Sequence, residues 1–234
     1  MEEKISKQKA KQLFDTGDIH SIETGTFKGL SEIHRYLFEG IYEFAGKVRD
    51  VNIAKNGFQF APVMYLKHSL EHIERMPQHS FDEIIEKYVE MNVAHPFRDG
   101  NDRSTRIWLD LMLKSAVHSV IDWNVVDKKD YLPAMERSPV EDIEIKQILK
   151  NALTPKADDR ERFMNGDRRQ FLLRGLFRIQ NGRIIRKQRL FQRWNKRCQR
   201  MFFKPQEKQA TRPQKQKHPA LLPPLSLNKH PTTP

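Results

Sequence analysis

The segment His95-Pro96-Phe97-Arg98-Asp99-Gly100-Asn101-Asp102-Arg103-Ser104-Thr105-Arg106 gathers residue types that chemistry on a nucleotide requires. It reads as a helix end, a turn on Gly100-Asn101 and the first turn of a new helix. Backbone N–H groups at such a start point outward and attract anions. Arg103 and Arg106 lie three apart, so their side chains leave one helix face and can flank that anion site. The carboxylate of Asp99 can hold a hard cation. His95, titrating near neutrality, suits general-base work. Each residue alone also has a plain structural reading: a histidine before proline caps a helix, and paired arginines form a solvated face or ion pairs. The joint spacing is what points to a cation, a phosphate cradle and a base in one place.

The elements around the segment are mostly helical. Apolar residues at three- and four-residue steps predict helices over about 5–14, 26–44, 64–74, 81–93, 102–114, 129–137 and 140–149. The second carries Leu30, Ile33, Leu37, Ile41 and Phe44 and is stopped by Gly46. Ser80 with Glu83 three residues on is a capping box for the helix leading into His95. Asn56-Gly57 is the strongest two-residue hairpin signal, and Val51–Ala54 and Phe58–Ala61 are its arms. The predicted class is all-α, a helical bundle with one small β-hairpin flap over 51–61.

Composition divides the chain. Residues 1–166 carry 24 Lys and Arg against 28 Asp and Glu, whereas 167–234 carry 18 against 2. The net charge of +12 therefore belongs to the tail, and the first 166 residues form the domain. The tail holds seven of the thirteen prolines after position 204 and shows no apolar period, the composition of a disordered segment. One cysteine, Cys198, excludes a disulfide framework and a Cys-based zinc site. No apolar run is long enough for a membrane span, and the N-terminus has no apolar signal core. The expected address is cytoplasmic.

The segment resembles the signature of the Fic family, His-x-Phe-x-(Asp/Glu)-Gly-Asn-(Gly/Lys)-Arg-x-x-Arg. Seven of its eight defined positions match: His95, Phe97, Asp99, Gly100, Asn101, Arg103 and Arg106. IHRYLFEGIYEFAGKVR (33–49), STRIWLDLMLK (104–114) and YLPAMERSP (131–139) are similar to short single-domain bacterial members. The resemblance covers about residues 5–166. It implies a Fic fold and transfer of AMP from ATP to a Ser, Thr or Tyr hydroxyl of a target protein. His95 would be the base and Asp99 the Mg²⁺ ligand. Gly100 and Asn101 would cradle phosphate through backbone and amide donors, and Arg103 and Arg106 would hold the β- and γ-phosphates. Phe97 would anchor the motif in the core. The flap, with Ile53, Ala54, Lys55, Asn56, Gly57 and Phe58, would dock an extended target segment as an added strand. A toxin-like role on a cytoplasmic protein, with type II topoisomerase subunits as candidate targets, follows from the same resemblance.

Asp102 departs from the pattern, which has Gly or Lys there. Its carboxylate either faces the phosphates and weakens activity, or points to solvent as a favourable helix-start residue. Short members of this kind also carry a C-terminal inhibitory Ser/Thr-x-x-x-Glu motif, whose glutamate pairs with the second arginine. Here that place reads Gln170 and Arg174, so the brake is broken. Two explanations stand. The tail is a basic arm for nucleic acid, with Trp194 and Phe202 as stacking groups, on a catalytically impaired binding module. Alternatively, codon degeneracy allows removal of one nucleotide near codon 166 to restore serine at position 170 and glutamate at 174, making the tail a frameshift product.

Overall fold

Helix α1 (Glu2–Asp15) lays Ser6, Ala10 and Leu13 against α2 (Phe27–Phe38), which is capped by Thr26 accepting from the Gly29 N–H at 3.0 Å. The computed structural model describes residues 2–55 and 58–155. Readings that concern Asn56, Gly57 and everything after 155, including the tail, the broken brake and the frameshift, lie outside the described residues. After α2 come the strands β1 (Ala54–Lys55) and β2 (Phe58–Gln59), then α3 (Val63–Glu74), α4 (Phe81–Ala94) and α5 (Asn101–Val117). Strand β3 (Val120–Ile121), α6 (Lys128–Arg137), α7 (Ile143–Asn151) and β4 (Leu153–Thr154) complete the order. The class is as expected from the sequence: mostly helical, with a small hairpin.

Helix α5 is the hub. It packs on α4 and α2, while α3 covers α4. Ser104 to Asp110, Met112 and Leu113 are all buried, so α5 is enclosed on every side. Trp108, Leu109 and Leu113 meet Ile84, Ile85 and Tyr88 of α4 and Leu30, Ile33 and Leu37 of α2 in one core. The capping box at Ser80 and Glu83 is present and fixes where α4 begins.

Two expectations need correction. Helix α2 ends at Phe38 and does not reach Phe44. Gly40 and Gly46 adopt φ of 78° and 73°, and the chain between them winds through turns. The aromatic spacing there builds a ladder of rings, Phe38 on Tyr42 at 5.3 Å and Tyr42 on Phe44 at 4.7 Å. Helix α7 starts at Ile143, because the N–H groups of Val140 and Glu141 turn back to the Arg137 carbonyl. The pairing of β3 with β4, Val120 opposite Thr154, was not anticipated. Two-residue strands over thirty positions apart leave no alternation to detect. They fasten the end of α7 to the end of α5.

Candidate active site

The site is built where α4 stops and α5 starts. His95 caps α4 in the left-handed conformation, φ 49° and ψ 63°, uncommon outside glycine. A buried arginine missed by sequence reasoning holds it there. Arg49 donates from Nε to the His95 carbonyl at 2.7 Å, from Nη1 to Val51 at 2.7 Å, and from Nη2 to the carbonyls of Ala61 and Ala94. It thus ties the hairpin's entrance and exit to the end of α4. The Ala61 N–H on the Val93 carbonyl adds a second tie. The His95 ring is 8% exposed and lies flat on Phe60, centroids 3.7 Å apart. Burial pushes its pKa down to about 4, against the raising pull of Asp102 and with help from Lys55 and Arg49. The imidazole is therefore neutral at physiological pH.

The loop from Phe97 to Asn101 is locked from within. Asn101 accepts from the Phe97 N–H at 2.9 Å and donates to the Phe97 carbonyl at 2.8 Å. Its side chain thereby fixes the turn, with one of its two amide N–H groups given to the Phe97 carbonyl. Gly100, at φ 80°, has no room for a side chain: a Cβ would come within 2.4 Å of the Phe38 ring. Phe97 is fully buried and stacks on His34 at 3.8 Å, as expected of an anchor. His34, also missed, accepts the Gly46 N–H at Nδ1 (2.9 Å) and donates from Nε2 to the Asp99 carbonyl (2.8 Å). A protonated ring would face the Gly46 N–H with a second donor. Burial likewise brings its pKa to about 4. Its signal in the sequence was a polar residue on the apolar face of α2, between Leu30 and Phe38.

The two arginines reach different surroundings. Arg103 stacks on Phe38 at 4.6 Å and pairs with Glu2 at 2.5 Å and with the Ser6 hydroxyl, both on α1. Arg106 turns the other way, its guanidinium 4.2 Å over Trp123 and 5.4 Å from Tyr131. Asp102 is solvent-accessible but belongs to the cleft. Desolvation raises its pKa, and Lys55, then His95, Arg106 and Arg103, outweigh that and hold it below the usual range. The exposed Asp99 accepts the Gly100 N–H at Oδ1 (2.7 Å) and the Tyr42 hydroxyl at Oδ2 (3.4 Å). No group of three or more metal-ligating side chains exists among the described residues. A single accessible carboxylate fits Mg²⁺, which is commonly held by one or two carboxylates together with substrate phosphates.

Of the flap residues, Ala54 and Lys55 form β1, Phe58 opens β2 opposite Lys55, and the Ile53 carbonyl accepts the Phe60 N–H at 3.1 Å. Asn56 and Gly57 fall outside the described residues. The outer edge of β1 has no partner strand among the described residues. A helical stretch capped by a buried neutral histidine, an uncapped glycine start and a buried arginine behind it now stand together, and the family model for Fic/DOC matches residues 26–113. These residues form a Fic/DOC family domain. The Fic domain is similar to the protein adenylyltransferase VbhT of Bartonella schoenbuchensis, 29% identical over 123 residues, 48% of this chain and 25% of the relative. It is also similar to the probable protein adenylyltransferase Fic of Escherichia coli, 25% identical over 145 residues, 56% of this chain and 71% of the relative. The match spans about a quarter of the first relative's length. Among solved structures, the Fic domain of Bep8 from Bartonella sp. 1-1C superposes with a TM-score of 0.55 at 18% identity, over 68% of this chain and 86% of that one. BepC from Bartonella tribocorum, solved with bound AMPPNP, gives 0.51 at 20% identity, over 60% and 81%. These show the Fic fold. No helix among the described residues is long and apolar enough to cross a membrane.

Proposed function

We propose that this Fic domain transfers AMP from ATP to a hydroxyl side chain of a target protein. The observation that carries the reading is His95, buried and neutral, set between the hairpin and the open start of α5. The relatives named as adenylyltransferases and the neighbour holding AMPPNP support the same chemistry. His95 takes the proton of the target hydroxyl as its oxygen bonds to the α-phosphorus. The bond from that phosphorus to the bridging oxygen of the β-phosphate breaks, and pyrophosphate leaves. The backbone N–H groups at the start of α5 and the Arg106 guanidinium hold phosphate, while Arg103 braces the helix against α1. Asp99 would hold Mg²⁺, which supplies charge neutralisation on the phosphates when bound. The open edge of β1 receives the target as an added strand, a type II topoisomerase subunit being a candidate from the sequence resemblance.

The test uses ATP labelled at the α- or the γ-phosphate with a lysate of target proteins. Label from the α position alone should reach protein. Label from the γ position would mean phosphate transfer, and no label with salt-sensitive DNA binding would favour a binding module.

A further inference from the structure

Behind the cleft, three buried polar atoms have no partner among the described residues: Nε of Arg106, Oδ2 of Asp110 and Nε1 of Trp123. Their residues are each at most 8% exposed. Arg106 and Asp110 stand one helical turn apart on α5, so their side chains share a face. Trp123, from the segment after β3, lies beneath the Arg106 guanidinium, and its indole N–H lies against Asp110 without completing a hydrogen bond. Two donors and one acceptor thus meet in a dry place, none satisfied. Groups of that kind are costly to leave so. The other oxygen, Oδ1, accepts the Ile121 N–H at 3.2 Å and pins β3 to α5.

We propose that Asp110 is a positioning residue for Arg106: Oδ2 takes the Arg106 Nε–H and the Trp123 indole N–H when a nucleotide phosphate draws the outer guanidinium nitrogens into the cleft. The inference rests on the transfer reading above. A guanidinium is planar, so fixing Nε fixes the direction of the Nη fork. Trp123 beneath it restricts the plane, and Tyr131, whose hydroxyl bonds that of Tyr88 at 2.8 Å, closes the far side.

Arg106 is the charged group facing Asp110 from its own helix. From α6 and α4 the titratable neighbours of Arg106 are Tyr131 and Tyr88, both raised by burial. After β3, Asp122 is turned to Asn124. Burial lifts the Asp110 carboxyl to about 7, with the Ile121 hydrogen bond, Trp123 and Arg106 opposing. Pairing with Nε favours the carboxylate, and nucleotide binding therefore expels a proton.

Asp110→Asn retains the shape and the acceptor for Ile121 while removing the titration. In the full chain its melting temperature should stay near that of the wild type. KM for ATP should rise about tenfold, the lower range for a hydrogen bond to a charged group, with kcat little changed. The strengthening of wild-type ATP affinity from pH 6 to 8 should be lost. Trp123→Phe, which removes only the indole N–H, should raise KM for ATP in the same direction and reads the same seat if Asp110→Asn does not fold. A wild-type KM and pH slope in whichever variant folds would overturn the proposal. Binding of AMPPNP to the wild type, by calorimetry, separates the failures: a wild type that binds no nucleotide overturns both this inference and the transfer reading.

Discussion

At His95 one geometric fact sets two kinetic expectations. The ring is dry and neutral, with its pKa near 4. His95→Ala should lower transfer by roughly 10²–10⁴-fold while nucleotide affinity holds, because the proposed phosphate contacts lie elsewhere; labelled-ATP transfer beside calorimetry measures both. A variant with a tenth of the rate would end the general-base role. The acid limb of the wild-type rate, attributable to protonation of this base, should fall near pH 4 rather than 6.5. Asp102 adds a contrasting case. Its carboxylate lies among Lys55, His95 and the arginines, which favours the reading that it faces the phosphates. Asp102→Gly should therefore lower KM for ATP by about two- to fivefold, a modest factor because the group is wet and screened. An unchanged KM would return Asp102 to the role of a helix-start residue.

At the level of elements, the site depends on how α5 begins. Gly100 gives a left-handed residue with a face pressed on Phe38 and His34. Gly100→Ala should destabilise the fold by roughly 1–3 kcal/mol and weaken nucleotide binding, read by urea unfolding and calorimetry; an unaffected variant would show that α5 can start elsewhere. The existence of these helices was legible because apolar residues recur at helical steps, and the hairpin because Asn-Gly has few other uses. The end of α2 was not, since Ile41 and Phe44 keep the helical spacing while two glycines and an aromatic ladder take the chain out of the helix. The motif residues were legible as a set, yet their tips were not. Arg103 and Arg106 leave neighbouring positions on α5, and what each reaches depends on α1 and on the Trp123 segment, far away in sequence. Arg49 left no local sign, because its four carbonyl partners come from the flap ends and α4.

Across the whole molecule, buried titrations oppose one another. His34 and His95 fall from 6.5 to about 4 on folding. Between those values the unfolded chain binds more protons, so their contribution is full above pH 6.5 and is lost as pH falls, roughly 3 kcal/mol for each. Asp110 runs the other way. Its folded pKa, about 7 against 3.8, means the folded chain holds the extra proton, and stability falls as pH rises through that window. The two histidines outweigh the one acid, so unfolding free energy should climb from pH 4 to 6.5, and more steeply in Asp110→Asn. Urea titrations across that range measure the slope; a flat profile in both proteins would contradict the burial assigned to these groups.

Phe60 directly follows β2 and covers the face of the His95 ring. On the transfer reading, a guest strand added to β1 arrives beside an imidazole that Phe60 already keeps dry. Recognition of the guest and exclusion of water then need no separate lid. Without a guest strand the base is already dry but has no oriented hydroxyl to deprotonate, so the machine idles rather than burning its fuel on water.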